Sequence, residues 1–200
     1  MSESRPSVRN ELAVPCVYFK ESGKVNTRRT LEIAAQRARE LDVDQVLLAT
    51  TAGETGLQAL DFFPGKILVI VTHSTGFVRP GAQQLSPEVR RKLEGAGAQV
   101  LTCQHALGGI NRAVRRKLNT YQLDEIIAYT LRIFGQGTKV AVETALMAAD
   151  AGKLSTARPC ISIGGTSEGA DTALLLKAAH AQDFFDLRIM EFLAKPHLPT

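Results

Sequence analysis

Thr50, Thr51 and Thr55, spaced by Ala52, Gly53 and Glu54 and followed by Gly56, stand where the apolar run Val46-Leu47-Leu48-Ala49 stops and a helix-like segment starts. Threonine hydroxyls donate to phosphate oxygens. Glycines let the backbone approach a ligand closely. The first amides of a helix lack internal partners and carry the positive end of its dipole. A strand end of this composition suits an oxyanion. It is neither a Walker A loop nor a GxGxxG turn, because it has no lysine, and Glu54 carries the wrong sign unless it turns away. A plain strand-to-helix turn capped by threonine explains the same residues equally well.

A second loop of the same kind runs from Ile163 through Gly164, Gly165, Thr166, Ser167, Glu168, Gly169, Ala170 and Asp171 to Thr172. It also leaves a strand end. Read alone it is an ordinary hairpin loop using glycine for positive φ. Two such loops in one small domain favour a shared site, because α/β sheets bind ligands at the carboxyl ends of their strands.

Other candidates cluster at neighbouring strand ends. Thr72-His73-Ser74-Thr75-Gly76-Phe77 follows an aliphatic strand; His73 is a candidate anion donor or acid–base group, and Phe77 a candidate stacking ring. Cys103 and His105, two apart on a strand, face one side and form a candidate nucleophile pair. A buried structural thiol is the commoner use of such a cysteine, with His105, Gly108 and Gly109 lining the pocket. Asn111 and Arg112 read both as phosphate neutralisers and as solvated surface. Glu143 interrupts the apolar stretch Val140 to Met147, and Asp171 opens a strand. An unpaired buried charge is costly, so each is either pocket-facing or an ion-pair partner. Met147 reads as core. No metal-ligating spacing is present.

The elements that must hold these groups follow from periodicity. Cys16 to Phe19 reads as a short strand. Asn26 or Thr27 is positioned to cap a helix whose stripe is Leu31, Ala34, Ala35, Ala38 and Leu41, with Arg28, Glu32, Gln36, Arg39 and Glu40 opposite. Val46 to Ala49, Ile67 to Val71 and Val100-Leu101 read as strands. Glu54 to Phe62 and a segment starting at Ser86-Pro87-Glu88 read as the helices between them. Helices over Leu123 to Phe134 and Lys139 to Ala151 lead to strands at Cys160 to Ile163 and Thr172 to Leu176. The first half alternates strand and helix, which argues a parallel sheet with right-handed crossovers. The loop before Thr172 is too short for a crossover, so that last strand is expected to be antiparallel.

The chain has 200 residues, 44% hydrophobic and 22% charged, with a formal charge of +4. That supports one core. The predicted layout is an arm over 1–13, one domain over 14–195 and a loose tail over 196–200. No apolar run approaches membrane-spanning length, and the polar N-terminal stretch predicts a cytoplasmic protein. The odd, scattered cysteines Cys16, Cys103 and Cys160 support no disulfide framework. The basic clusters Arg28-Arg29, Arg90-Arg91-Lys92 and Arg112 to Lys117 are dispersed and poor in aromatics, against a nucleic-acid face.

On the two glycine–threonine loops and the Ile67-Leu68-Val69-Ile70-Val71-Thr72 strand, the sequence resembles the C-terminal α/β domain of pyruvate kinase. The resemblance implies a three-layer α/β sandwich with a mostly parallel sheet and an antiparallel last strand. In that domain the two loops bind a sugar-phosphate effector. Here Glu54 replaces the loop arginine and Ala52 a hydroxyl, which favours a monophosphate. Val17-Tyr18-Phe19, Asn26-Thr27, Thr72 to Phe77, Gly135 through Glu143 to Asp150, and Gly164-Gly165 with Gly169 to Ala173 resemble a standalone archaeal and bacterial family of this fold, over about residues 15–195. That family is associated with FMN. The likeness implies an FMN-binding protein with an oxidoreductase activity in prospect, or a non-catalytic module for a phosphorylated metabolite. It implies a homo-oligomer, and, with no counterpart of the kinase's catalytic barrel in these residues, no phosphoenolpyruvate chemistry is expected. The implied contacts are Thr50, Thr51, Ala52, Gly53, Glu54, Thr55, Gly56, Thr72, His73, Gly76, Phe77, Glu143, Gly164, Gly165, Thr166, Asp171 and Thr172.

Overall fold

The computed structural model describes residues 10–198. Most of the expected N-terminal arm, and Pro199 and Thr200 of the tail, lie outside the described residues; residues 10–13 are in neither helix nor strand. The chain runs β1 (Val17–Phe19), α1 (Thr27–Glu40), β2 (Gln45–Thr50), α2 (Glu54–Ala59), β3 (Ile67–Thr72), α3 (Pro87–Gly95), β4 (Gln99–Thr102), α4 (Ile110–Leu118), α5 (Leu123–Arg132), α6 (Gln136–Asp150), β5 (Pro159–Gly164), β6 (Thr172–Lys177) and β7 (Arg188–Pro196). The seven strands form one sheet in the order β1-β7-β6-β5-β2-β3-β4. β5, β2, β3 and β4 are mutually parallel, β6 is antiparallel to both its neighbours, and β1 pairs parallel with β7.

Strand alternation splits the core into two layers. On one face Val46, Leu48, Leu68 and Ile70 pack with Leu31, Ala34 and Ala35 of α1, Ala59 of α2 and Leu93 of α3. On the other, Leu47, Val69, Val71, Leu174 and Leu176 pack with Ala141, Val142, Ala145 and Leu146 of α6. Central strands covered on both sides explain the near-continuous aliphatic runs in the sequence. The result is a three-layer α/β sandwich. Among the described residues no helix is long and apolar enough to cross a membrane.

Local signals behave unevenly. At α3, Ser86 caps as expected: its side chain accepts from the Val89 amide at 3.2 Å, with Pro87 at the first helical position. At α1 neither candidate caps by side chain. Asn26 Nδ2 donates to the Glu21 carbonyl, and Thr27 Oγ1 accepts from the Ala170 amide at 3.0 Å. Tertiary partners have taken both groups. α2 ends at Ala59, three residues before the expected stop at Phe62. β7, which the sequence reading did not identify, lies between β6 and β1. Its last residue, Pro196, pairs with Phe19, and the His197 amide donates to the Phe19 carbonyl at 2.8 Å, so the first two residues of the expected tail are held by β1.

β7 is clamped to α1 by a bidentate pair: Arg37 Nε and Nη2 donate to Glu191 at 2.8 and 2.7 Å. These side chains are 18% and 10% exposed, so the pair is shielded. Hydrogen bonds between charged groups contribute about 1.5–3 kcal/mol. Glu191→Ala is expected to lower unfolding stability by about that amount, read from urea melts; a loss within error would show that the clamp contributes nothing.

Candidate functional site

The register aligns Thr50 of β2 with Thr72 of β3, and Thr72 with Thr102 of β4, giving a row of threonines at the carboxyl edge. Strand order reverses between β2 and β5, the place where open α/β sheets leave a crevice. A cleft of about 350 Å³ lies there, within the size range of small-molecule sites. Ala49, Thr50, Val71 and Thr72 form its floor. The 51–55 loop and Lys24 form one side, α6 the other, and Gly165 with Ser167 to Gly169 a rim.

The threonine loop keeps donors free. Thr50 Oγ1 accepts from the Gly53 amide at 3.2 Å, so its own proton is uncommitted. The hydroxyls of Thr51 and Thr55 make no hydrogen bond among the described residues, and both residues border the cleft. Thr72 differs: its hydroxyl lies 2.7 Å from Thr102 Oγ1 and 3.0 Å from the His73 carbonyl, and is spent on the sheet edge. Glu54 does not turn away. It is matched at the mouth by Lys24, with Nζ 2.6 Å from Oε2, which offsets its charge. α2 has only six residues; its dipole is small, and hydroxyls are the stronger oxyanion donors here. Gly53 serves packing: it caps α2 at φ +102°, and a Cβ there would lie 2.4 Å from Val89 Cγ1. Gly56 is pressed against Ile70 and Leu93.

In the second loop only Gly165 of the expected residues borders the cleft, joined by Ser167, Glu168 and Gly169. Asp171 is fully buried and structural: Oδ2 accepts from the Gly23 amide at 2.8 Å and the Thr166 amide at 3.1 Å, and Oδ1 accepts from Thr172 Oγ1 at 2.8 Å. Thr166, Asp171 and Thr172 therefore shape the loop. Gly164 and Gly137 bring β5 and α6 together; a Cβ on Gly164 would fall 2.2 Å from the Gly137 carbonyl oxygen.

The far end of the cleft holds a buried ionic group. Lys139 and Glu143, one helical turn apart on α6, form an ion pair at 5% and 3% exposure. Glu143 Oε1 also accepts from the Leu107 amide at 3.0 Å, and Oε2 lies 3.5 Å from His105 Nδ1. Burial alone would raise the Glu143 carboxyl, but His105 and the Lys139 charge outweigh it and hold it at about 2. Burial pushes the Lys139 ammonium down in spite of Glu143. The pair is asymmetric: one carboxylate gains from two partners, while the ammonium shares that carboxylate and does not recover its desolvation.

Beside this group, Phe77 stacks on His73 at 4.2 Å and on His105 at 4.9 Å between ring centroids, and the Arg112 guanidinium sits 4.8 Å from its centroid. His73 is pushed down in pKa, chiefly by burial. Gly76 borders a separate, more open cavity of about 510 Å³ that shares Phe77, His105 and Arg112 with the cleft.

The structure thus brings Thr50, Thr51, Ala52, Glu54, Thr55, Thr72, His73, Phe77, Glu143 and Gly165 around one cleft, and leaves Gly53, Gly56, Gly76, Gly164, Thr166, Asp171 and Thr172 outside its lining. Sequence reading missed Lys24, Thr27, Arg132, Gln136, Lys139, Val140 and Thr144. The i, i+4 spacing of Lys139 and Glu143 in an apolar helix was the available signal for one of them. Cys103 borders only the open cavity, its thiol raised by burial, with no hydrogen bond to His105.

No protein-family model matches the sequence. Among solved structures, a pyruvate kinase from Cryptosporidium parvum in complex with ADP is similar at 13% identity and a TM-score of 0.41, over 76% of this chain and 24% of that one. A second pyruvate kinase structure from that organism is similar at 12% identity and a TM-score of 0.40, over 76% of this chain and 22% of that one. The chain thus spans about a quarter of the length of these proteins.

Proposed function

We propose that this is a small cytoplasmic protein whose cleft binds a phosphorylated ligand, with FMN as that ligand. The observation that carries the reading is the free hydroxyl set of Thr50, Thr51 and Thr55 at the edge of a cleft of ligand size. The phosphate belongs against these hydroxyls and the first amides of α2. Val71, Val140 and Met147 give an apolar stretch of wall for a flat ring, and Arg112 and Arg132 line the same cleft without a carboxylate partner among the described residues. A bound flavin would supply redox chemistry, the basis of the oxidoreductase reading; the protein's part is to hold, orient and tune it.

One observation favours a second reading. Phe77 is already engaged by His73, His105 and Arg112, so its ring offers no ready platform. A non-catalytic module for a phosphorylated metabolite without a flat ring needs none. The visible spectrum of protein purified without added cofactor, with mass spectrometry of what heat releases, separates the two. A flavin spectrum with an FMN mass is expected. A colourless protein that also ignores added FMN would leave the module.

The same proposal includes self-association. Leu123, Ile126, Tyr129 and Ile133 of the α5 segment are each more than half exposed, and apolar patches of this kind mark interfaces. Sedimentation is expected to show a dimer or larger; monomer at every concentration would contradict it.

A further inference from the structure

His105 combines three features that packing alone does not require. Its Nδ1 faces a carboxylate that is itself fixed by Lys139 and the Leu107 amide. Its Nε2 is shut off from solvent and has no hydrogen-bond partner among the described residues. Its ring borders the cleft under Phe77. A buried polar atom without a partner is costly and rare. A histidine oriented by a carboxylate through one nitrogen presents the other for proton transfer.

We propose that His105 is the acid–base group of the cleft, that Glu143 is its positioning residue, and that Phe77 covers it until a ligand moves the ring. The proposal rests on the cleft being a ligand site. Glu143 holds the proton on Nδ1, so Nε2 is the acceptor. The ligand group it takes is a hydroxyl or an imide N–H. In the transfer, that proton moves to Nε2, the electron pair stays on the ligand atom, and Glu143 faces the imidazolium that forms. Phe77 can move. It follows Gly76, whose φ is +83° with open space around it, and it precedes Gly81 at φ +70°. The groups that face the ring are Glu143, His73 and the Arg112 guanidinium on Phe77.

Two measurements on the ligand-free protein test this. Long-range proton–nitrogen spectra of ring-labelled histidine are expected to show His105 as the Nδ1–H tautomer, and Glu143→Gln to populate both tautomers. An Nε2–H tautomer in the wild type, or no change in Glu143→Gln, would overturn the positioning. Carbethoxylation by diethyl pyrocarbonate, read peptide by peptide, is expected to be slower at His105 than at half-exposed His180. It is expected to rise about tenfold in Phe77→Ala, since a covered group reacts only through local opening. Equal rates at the two histidines, or no rise in Phe77→Ala, would overturn the cover. If Glu143→Gln does not fold, the wild-type tautomer and the Phe77→Ala rates decide. FMN titration is scored apart. Binding that leaves the His105 resonances unmoved refutes the inference and spares the cleft reading. Absence of FMN binding refutes the flavin reading, while the tautomer and the rates still judge His105.

Discussion

Glu143→Gln is expected to lower unfolding stability by about 3–5 kcal/mol, the usual result of stripping one partner from a buried ion pair. The change removes the carboxylate that Lys139, His105 and the Leu107 amide share. Lys139 is left with its ammonium buried and unmatched, and its pKa should fall further. Replacing both members, Lys139→Met with Glu143→Leu, is expected to recover the part of the loss that comes from the stranded ammonium, while the Leu107 amide stays without its acceptor. A double-mutant cycle isolates the coupling. Losses in Lys139→Met and Glu143→Leu that simply add in the double variant would show that the pair is not coupled.

The same residue sets a direction for acid sensitivity. Its folded carboxyl lies at about 2, below the ordinary 4.5. A depressed carboxyl contributes stability that is fully present above the unfolded value and is lost as pH falls through the folded one. Wild type should therefore lose stability between about pH 4.5 and pH 2 more steeply than Glu143→Gln. Parallel acid limbs would contradict this.

The second large effect concerns binding. Thr51→Val with Thr55→Val keeps side-chain shape and removes two free hydroxyls. Hydrogen bonds to a charged group contribute about 1.5–3 kcal/mol each, so FMN affinity is expected to fall by a factor of about 10² or more. Melting should change little, since neither hydroxyl has a partner among the described residues. Thr72→Val supplies the contrast: its hydroxyl is bonded to Thr102 and to the His73 carbonyl, so stability should fall and affinity should change less. Unchanged affinity in the Thr51 and Thr55 double variant would remove the threonine loop from the phosphate site.

Much of the architecture was readable because one physical rule dominates it. Ile67 to Val71 and Val46 to Ala49 are aliphatic throughout, and that pattern is stable only between two helical layers. The short 165–171 loop forced β6 to be antiparallel, as observed. β7 escaped because its alternation, Ile189-Met190-Glu191-Phe192, mixes a partly buried acid with apolar groups that are partly buried or exposed, and its place depends on Arg37 from a distant helix. The α1 cap failed for a similar reason, since Asn26 and Thr27 found partners elsewhere.

In the site, strand-end residues were legible because an α/β sheet delivers its carboxyl edge to one place. The α6 wall was less so. Glu143 stood out as a charge in an apolar helix, whereas Gln136, Val140 and Thr144 face the cleft only because α6 crosses the β2–β5 gap. Asp171 shows the converse. Its sequence setting matched that of Glu143, but backbone amides from Gly23 and Thr166 absorb its charge.

The most direct test of a phosphate site at the threonine loop is an amide-resolved NMR titration of the whole chain, first with FMN and separately with inorganic phosphate. Both probes are expected to move the amides from Thr50 to Gly56 to saturation, and FMN alone to move Val140 and Met147 as well. Amides of that loop that stay still with both probes would contradict the account.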